Sequence, residues 1–290
     1  MKEVLFVSFS GGRTSAYMCH WLINNKSDDY ELIFVFANTG QEHEKTLEFV
    51  DRCDKEMGLN LVWVEAVVNP IKNKGTTHKI VNFDTACRDG RLFEDMIKIF
   101  GIPNAGFPHC NRELKLRPIK SYKNSLGFSR EHLMAIGIRS DEADRMSFKA
   151  LEKGELTYPL IKWTQTTKAE VRHWWLTQDY DLDLPEHLGN CVTCWKKSDR
   201  KLMTIAKHEP IRFAVFDKLE QKYRHLDIEG QNVSDRVFFR KYRTARNIVG
   251  SAQEPFVEFV DHMPELQLTM GFDVDDLDRE SDCSSGCELQ

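Results

Sequence analysis

The chain begins with an alternation of short apolar runs and mixed, helix-like stretches. Residues 4–7 (VLFV) have the length and the β-branched or aromatic content of a buried strand. Residues 16–22 (AYMCHWL) space their apolar positions as a helix does. Between them lies the polar segment SFSGGRTS, residues 8–15, which contains two adjacent glycines. The pattern therefore predicts a strand, a glycine-containing loop and a helix in direct succession.

The same alternation continues along the chain. Residues 31–37, 60–66 and 133–138 are apolar runs typical of buried strands, whereas residues 46–50 and 91–100 have helical spacing. Strands that alternate with helices form right-handed βαβ units. The predicted fold class is therefore α/β, with a doubly wound, mostly parallel sheet.

The residues beyond this alternation differ in composition. Residues 201–272 are predicted to form a helical extension, and residues 273–290 an acidic, flexible tail that contains two cysteines. Within the extension, residues 236–246 interleave basic and aromatic side chains, which either track a nucleic-acid backbone or form one amphipathic helix with a solvated charged face. The predicted organisation is thus a first domain at 1–200, followed by the extension and the tail.

The glycine-containing loop has the chemistry of an anion site. Adjacent glycines let the backbone approach an anion, and the N–H groups at a helix N-terminus point at it. The loop matches neither the Walker nor the dinucleotide glycine fingerprint, and a plain strand-to-helix turn is the alternative interpretation. The residues predicted to contact phosphate are Ser8, Ser10, Gly11, Gly12, Arg13, Thr14 and Ser15.

Polar residues also follow two later predicted strands. In a parallel sheet the carboxyl ends of the strands meet at one edge, where ligands bind. We therefore expect further ligand contacts from Asn38, Thr39, Gly40, Gly137 and Arg139. Basic side chains near these segments are predicted to bind anionic groups, namely Arg112, Lys115 and Arg145.

Composition narrows the classes of partner. The formal net charge is −5 and the pI about 6.1, so no global basic field attracts nucleic acid, although a local patch stays open. No apolar run reaches the length of a membrane span, and the N-terminus lacks the apolar region of a signal peptide. We therefore expect a cytoplasmic protein with no membrane partner. In that reducing compartment its eight cysteines point to metal, cluster or catalytic roles more than to disulfides.

Four motifs, in this order, resemble one known family. Ser-Gly-Gly-x-x-Ser at 10–15 resembles the pyrophosphate loop (PP-loop) of the adenine nucleotide alpha-hydrolase superfamily. Asn-Thr-Gly at 38–40, the cysteine and basic residues at 110–117, and Gly-Ile-Arg-x-x-Glu-x-x-Arg at 137–145 are similar to segments of the phosphoadenosine phosphosulfate (PAPS) reductase family. The resemblance covers residues 4–200. It implies a HUP-type fold, an adenine nucleotide (PAPS, adenosine phosphosulfate or ATP), and an Arg139 that contacts the nucleotide or its sulfate or phosphate.

The cysteines form a second candidate site. Cys191 and Cys194 have the spacing that lets two sulfurs face one metal ion. The resemblance implies Cys110 as a third ligand, with His109, Cys283 or Cys287 as candidates for a fourth. Three options stay open: an iron-sulfur (4Fe-4S) cluster, a zinc site, or a redox dithiol without metal.

Three functions are compatible with these features. The first is reduction of adenylylated sulfate, in which the resemblance implies catalytic roles for Cys287, Cys110 and Arg139 and a thioredoxin-type reductant. The second is an ATP-dependent sulfurtransferase that adenylylates and thiolates a nucleic acid, as in tRNA thiolation or DNA phosphorothioation. The third is a non-catalytic sensor of nucleotide or cluster.

Thr14 stands where ATP-using relatives carry a magnesium-assisting aspartate, which favours a substrate other than ATP with magnesium. The oligomeric state stays open.

Overall fold

The computed structural model describes residues 2–71, 74–128, 132–228 and 235–261. Within these ranges six strands form one sheet in the order β4-β3-β2-β1-β5-β6. Neighbouring strands are parallel, except that β4 runs antiparallel to β3. The strands are β1 (Glu3–Ser8), β2 (Tyr30–Asn38), β3 (Val62–Val68), β4 (Thr76–Val81), β5 (Met134–Ala135) and β6 (Leu156–Thr157).

Helices connect the strands and continue beyond them. The first group is α1 (Arg13–Lys26), α2 (Glu44–Met57), α3 (Arg91–Phe100), α4 (His109–Asn111), α5 (Arg117–Ser125), α6 (Phe148–Glu152), α7 (Pro159–Lys162) and α8 (Lys168–Leu176). A π-helical segment, Arg112–Leu116, joins α4 to α5 without a break. The second group is α9 (Asp199–His208), α10 (Ala214–Tyr223) and α11 (Ala245–Ser251). In the described part of the chain, none of the helices is both long and apolar enough to cross a membrane.

Alternate residues of β1 enter two separate hydrophobic cores. Leu5 and Val7 pack with α1 and α2 on one face of the sheet, where Cys19 and Cys53 are fully buried. Phe6 faces the other side and packs with α5 residues such as Ile119. Because a strand points successive side chains to opposite faces, an unbroken apolar run is what a sheet covered on both faces requires. The predicted α/β, HUP-like fold is confirmed.

The strand order creates a switch point at the carboxyl ends of β1 and β5, in the middle of the sheet. From β1 the chain proceeds outward to β2 and β3, and later returns to pair β5 on the opposite side of β1. The connections leaving β1 and β5 thus diverge to opposite sides. Such a switch point opens a crevice outside the carboxyl ends of the strands, where open α/β sheets bind their ligands.

The sheet differs from the sequence prediction at its margins. Strand β4 was missed because it is an edge strand with the polar sequence TTHKIV, which contains no apolar run. Strand β6 was also missed, since it has only two residues. The predicted strand at 133–138 is confirmed only for Met134–Ala135. The helix predicted at 91–100 is confirmed.

The described residues after residue 200 pack on the core that contains α1 and α2. Phe216 of α10 stacks on Phe238, with ring centroids 4.2 Å apart, and both belong to the core that contains α1 and α2. One amphipathic helix over residues 236–246 was one of the two interpretations, and it is wrong: residues 236–244 are irregular and include a turn, and α11 begins only at Ala245. The domain boundaries at 200 and 272 stay predictions. The tail, with Cys283 and Cys287, lies outside the described residues.

One buried carboxyl group fastens the irregular segment. Glu220 is 2% exposed and accepts hydrogen bonds from the backbone N–H of Phe238 (2.9 Å) and of Ala245 (2.7 Å). Burial raises the pKa of Glu220 to about 7, although the two backbone N–H groups oppose that rise.

The free energy of unfolding should therefore depend on pH through Glu220. A carboxyl whose pKa is higher in the folded than in the unfolded protein stabilises the fold at low pH, and that contribution disappears as the pH rises from about 4.5 to about 7. The loss amounts to at most about 3 kcal/mol. Denaturant unfolding across this range should show a weaker pH dependence in Glu220→Gln. Equal slopes in both proteins would contradict the assignment.

Candidate functional site

The loop after β1 leaves the beginning of α1 open. Gly12 precedes the helix in an extended conformation, and no side chain caps this end. The hydroxyls of Ser10 and Ser15 lie 2.9 Å apart, and Ser15 donates to the carbonyl of Gly12 (3.0 Å). These contacts hold the loop in shape while the first N–H groups of α1 stay directed out of the helix. A helix N-terminus of this kind attracts anions through its N–H groups and its dipole.

Two glycines allow the surrounding backbone to approach this loop. Gly11 has φ +85°, and a Cβ there would lie 2.9 Å from Cγ2 of Thr46 on α2. Gly137, after β5, lies so close to α1 that a Cβ would be 3.1 Å from Cα of Ser15. Larger residues would therefore push α2 or the end of β5 away from the loop. The predicted motifs at 10–15 and 137–145 meet directly.

Arg139 brings a positive charge to the same point. Its Nη1 donates to Oγ1 of Thr14 (3.0 Å), and its Nη2 lies 2.9 Å from Oε1 of Glu142. Arg145 contacts the same Glu142 oxygen at 2.7 Å. Burial by itself would lower the pKa of Arg139, but Glu142 and Asp141 outweigh it and raise the pKa. The arginine is therefore charged and held beside the start of α1.

Arg13 has a different set of partners from the one expected of a phosphate ligand. Its Nε contacts Oδ1 of Asp181 at 2.7 Å, and its Nη2 donates to the carbonyl of Leu182. Its own carbonyl accepts a hydrogen bond from the indole of Trp175 (3.0 Å). Arg13 thus fastens the 181–182 segment and α8 to the loop, and its role as a nucleotide ligand stays a prediction.

Asn38 at the end of β2 is fully buried among protein partners. Its Nδ2 donates to Oε1 of Glu65 (2.6 Å) and to the carbonyl of Cys87 (2.9 Å), and its Oδ1 accepts from the N–H of Gly40 (3.1 Å). Glu65 also contacts Nζ of Lys79 at 2.8 Å. In this structure Asn38 shapes the Thr39–Gly40 turn. Sequence reasoning missed Glu65, although a carboxylate inside an apolar strand was the available signal.

The turn after β2 binds the loop that carries the Cys-x-x-Cys pair. The carbonyl of Gln41 accepts a hydrogen bond from the N–H of Val192 (2.9 Å), and Glu42 and Cys191 form an antiparallel bridge. Glu42 also accepts from the N–H and the hydroxyl of Thr39, at 3.0 and 2.7 Å. These backbone contacts bring residues 191–194 to the same edge of the sheet as the loop after β1.

All three predicted cysteine ligands in the described chain line one cavity. Cys191 and Cys194 are buried, whereas Cys110 is half-buried. Thr39 forms part of the wall, which connects the cavity to the end of β2. The complete lining is Thr39, Phe93, Cys110, Asn111, Lys115, Cys191, Cys194, Trp195 and Phe216. The spacing had grouped Cys191 with Cys194, and the resemblance had added Cys110; the cavity contains all three, but neither argument predicted its aromatic walls.

A cluster or zinc site would need the three thiols to converge with a further ligand. Three thiolates suit an iron-sulfur cluster or zinc in donor type. However, over residues 2–71, 74–128, 132–228 and 235–261 no three His, Cys, Asp or Glu side chains are placed so that they could hold a metal ion. The fourth-ligand candidate His109 packs between the rings of Phe100 and Phe107, at 5.8 and 5.9 Å. In the described residues the three thiols therefore line one cavity without forming a group that could hold a metal ion, and the cluster and the zinc site stay predictions.

The predicted anion-binding residues fall into separate environments. Lys115 lines the cysteine cavity. Arg112 instead pairs with Glu113 (2.6 Å) and lies over the ring of Phe100. Burial lowers the pKa of His109 to about 4, and the positive charges of Arg112 and Arg236 add to this effect. The imidazole is therefore neutral at physiological pH. Only Lys115 of this group shares a cavity with the thiols.

Comparison with known proteins assigns the family. A family model described as the phosphoadenosine phosphosulfate reductase domain matches residues 4–182. The chain belongs to the PAPS reductase family. This family lies within the PP-loop superfamily and supports nucleotide-related sulfur chemistry, and the motif at 10–15 stays its predicted PP-loop.

Relatives of this chain come from a phage and an archaeon. An uncharacterized nin region protein, ORF290, of Escherichia phage lambda is 35% identical over 217 residues, which cover 73% of each chain. Two uncharacterized proteins of Methanocaldococcus jannaschii, MJ0973 and MJ0066, are 31% and 24% identical over 40% and 60% of this chain. The matched parts make up only 21% and 30% of the two archaeal proteins, so most of each archaeal protein lies outside the match.

The contact between Gly137 and Ser15 makes a sharp test of the PP-loop. Gly137→Ala should weaken binding of adenosine 5′-phosphosulfate by about tenfold or more, because the new methyl group displaces the first turn of α1. The measurement is isothermal titration calorimetry. Gly250→Ala is the matched control, since a Cβ there meets nothing within 4 Å. Equal affinities for Gly137→Ala and the unsubstituted protein would show that the loop does not bind the nucleotide.

Proposed function

We propose that this chain binds an adenylylated sulfate at the PP-loop and reduces its sulfate with the thiols of the cysteine cavity. The observation that carries the proposal is that Thr39 and the three cysteines line one cavity. Thr39 follows β2, and β2 is the immediate neighbour of β1, from which the PP-loop departs. The nucleotide site and the thiols therefore share one edge of the sheet.

The PP-loop and Arg139 account for binding of the nucleotide anion. The uncapped N-terminus of α1 offers N–H groups to the phosphate. Arg139 has its Nη1 on Thr14 and its Nε and Nη2 on Asp141 and Glu142, so its positive charge is held at the start of α1, where it attracts phosphate or sulfate. This arrangement binds an anion with the protein's own charges, and it suits Thr14 at the position where ATP-using relatives carry an aspartate.

Reduction then needs two thiols in succession. Cys110 is the more exposed of the three, so we assign it the attack on the sulfate sulfur. Its thiolate displaces the adenylate, which leaves with the electron pair of the sulfur–oxygen bond, and a cysteine S-sulfonate forms. The thiolate of Cys191 or Cys194 next attacks the sulfur of Cys110. Sulfite leaves, and the two cysteines become a disulfide.

The electrons balance over these two steps. Sulfur falls from the oxidation state of sulfate to that of sulfite, and two thiolates become one disulfide. A dithiol reductant of the thioredoxin type then restores the thiols by exchange. Lys115 lies in the same cavity, where its ammonium group stabilises the anionic sulfonate. Cys287 stays an alternative attacking thiol predicted from the sequence.

Sulfite release tests this proposal directly. With adenosine 5′-phosphosulfate or PAPS and a thioredoxin system, Cys110→Ser should reduce sulfite formation at least about a thousandfold, because the nucleophile is lost. Cys191→Ser or Cys194→Ser should leave an S-sulfonate on Cys110 that intact-mass measurement detects. Cys19→Ser, on the buried face of α1, is the control and should retain activity. Full activity of Cys110→Ser would exclude Cys110, and loss only in Cys287→Ser would assign the attack to the tail.

One observation favours a second candidate function. Nη2 of Arg240 donates to the carbonyls of Lys196 (2.8 Å) and Lys197 (2.7 Å), directly after the Cys-x-x-Cys pair. A basic segment is thereby attached to the thiol loop, as an ATP-dependent sulfurtransferase acting on nucleic acid would need. Release of pyrophosphate from ATP that depends on RNA or DNA, without sulfite, would favour this reaction. Nucleotide binding without release of either pyrophosphate or sulfite would favour the third function, a non-catalytic sensor.

A further inference from the structure

The turn between Phe239 and Arg243 has an unusual backbone. The N–H of Phe239 donates to the carbonyl of Arg243 (3.2 Å), which closes a turn of three residues. Two consecutive residues of this turn have left-handed backbone angles: φ is +60° at Lys241 and +53° at Tyr242. Glycine or asparagine adopts these angles readily, whereas long and bulky side chains do so at a cost. Strain of this kind is typically retained at functional positions.

The strained backbone presents an aromatic ring to solvent. Tyr242 is 88% exposed, the largest exposure among the described large hydrophobic residues. Next to it the side chain of Lys241 is 79% exposed. The turn is nevertheless firmly based, because Phe238 and Phe239 are buried in the core and Glu220 holds the backbone of Phe238. An exposed ring on a rigid base is a stacking surface.

Cations outnumber carboxylates around this ring. Lys241 and Arg243 both contact the single carboxylate of Asp199. Arg240 uses its guanidinium on the carbonyls of Lys196 and Lys197, and its charge also acts on Asp199, so three cations share that one carboxylate. The ammonium of Lys196 lies over the ring of Trp195, a wall of the cysteine cavity. The surface formed by Lys196, Arg240, Lys241 and Arg243 is therefore positive, although the formal net charge of the chain is −5.

We propose that the 239–243 turn binds a single-stranded nucleic acid, with an unpaired base stacked on Tyr242 and the flanking phosphates on Lys241 and its basic neighbours. Exposed aromatic rings combined with a positive groove are the general means of binding single strands. Arg240 joins the turn to the residues that follow Cys194, so the bound strand lies next to the cysteine cavity. The inference rests on the second candidate function for its biological role, whereas binding itself requires neither reaction.

Fluorescence anisotropy with the full chain tests the proposal. The probes are labelled single-stranded RNA and DNA of about 12 nucleotides and the corresponding duplex. Tyr242→Ala should weaken single-strand binding at least about fivefold, whereas Tyr242→Phe should retain it because the ring is kept. Lys241→Ala should lower the slope of log affinity against log salt by about 0.7, the value for one phosphate contact.

Matched controls separate the turn from general surface effects. Phe148→Ala removes another exposed ring, which is 62% exposed on α6, and Lys149→Ala removes the charge next to it; both should bind as the unsubstituted chain does. The double variant Lys241→Asn, Tyr242→Gly suits the backbone angles better, so it should melt at a higher temperature and yet lose binding.

Several results would overturn the proposal. These are no binding of either single strand, unchanged affinity in Tyr242→Ala, an equal loss in Phe148→Ala, or a preference for the duplex. Each would indicate that Tyr242 faces a partner of another class, such as a protein. Because binding is measured without turnover, these results leave the sulfite assay unaffected, and a failed sulfite assay leaves the binding result intact.

Discussion

The close approach of the end of β5 to the first turn of α1 is the contact on which the site depends. Gly137 lies against the backbone of Ser15 with no room for a side chain. That approach allows Arg139 to reach Thr14 and to place its charge at the uncapped end of α1. A helix N-terminus and an arginine held together in this way are the two elements of the predicted anion site, and Asp141 and Glu142 hold the arginine in place.

A second backbone contact brings the sulfur chemistry to the same edge. The Cys-x-x-Cys loop is about 150 residues from the turn after β2, yet Gln41 and Val192 are joined by a backbone hydrogen bond. This pairing, and not the spacing of the cysteines alone, aligns Cys191 and Cys194 with Thr39 and Cys110. The same loop receives Arg240, so the thiols and the basic turn meet on one short segment of chain.

The sequence predicted those features that have a local physical signal. The apolar run 4–7 predicted β1, because a strand covered on both faces needs one, and the glycine pair predicted the loop. Strand β4 lacked that signal because polar residues suit an edge. The partners of Arg13 and Asn38 are Asp181, Glu65 and Cys87, all distant along the chain, so no spacing rule could indicate them. The turn at 239–243 could not be predicted because its local signal was ambiguous: alternating basic and aromatic residues fit an amphipathic helix equally well.

The central claim is that backbone amides at the start of α1 bind the phosphates of an adenine nucleotide. Hydrogen–deuterium exchange with and without saturating adenosine 5′-phosphosulfate measures those amides most directly. The account predicts slower exchange at Gly11 to Ser15 and at Gly137 to Arg139, and little change at the distant edge strand β4. Unchanged exchange in both segments, with protection located elsewhere, would contradict it.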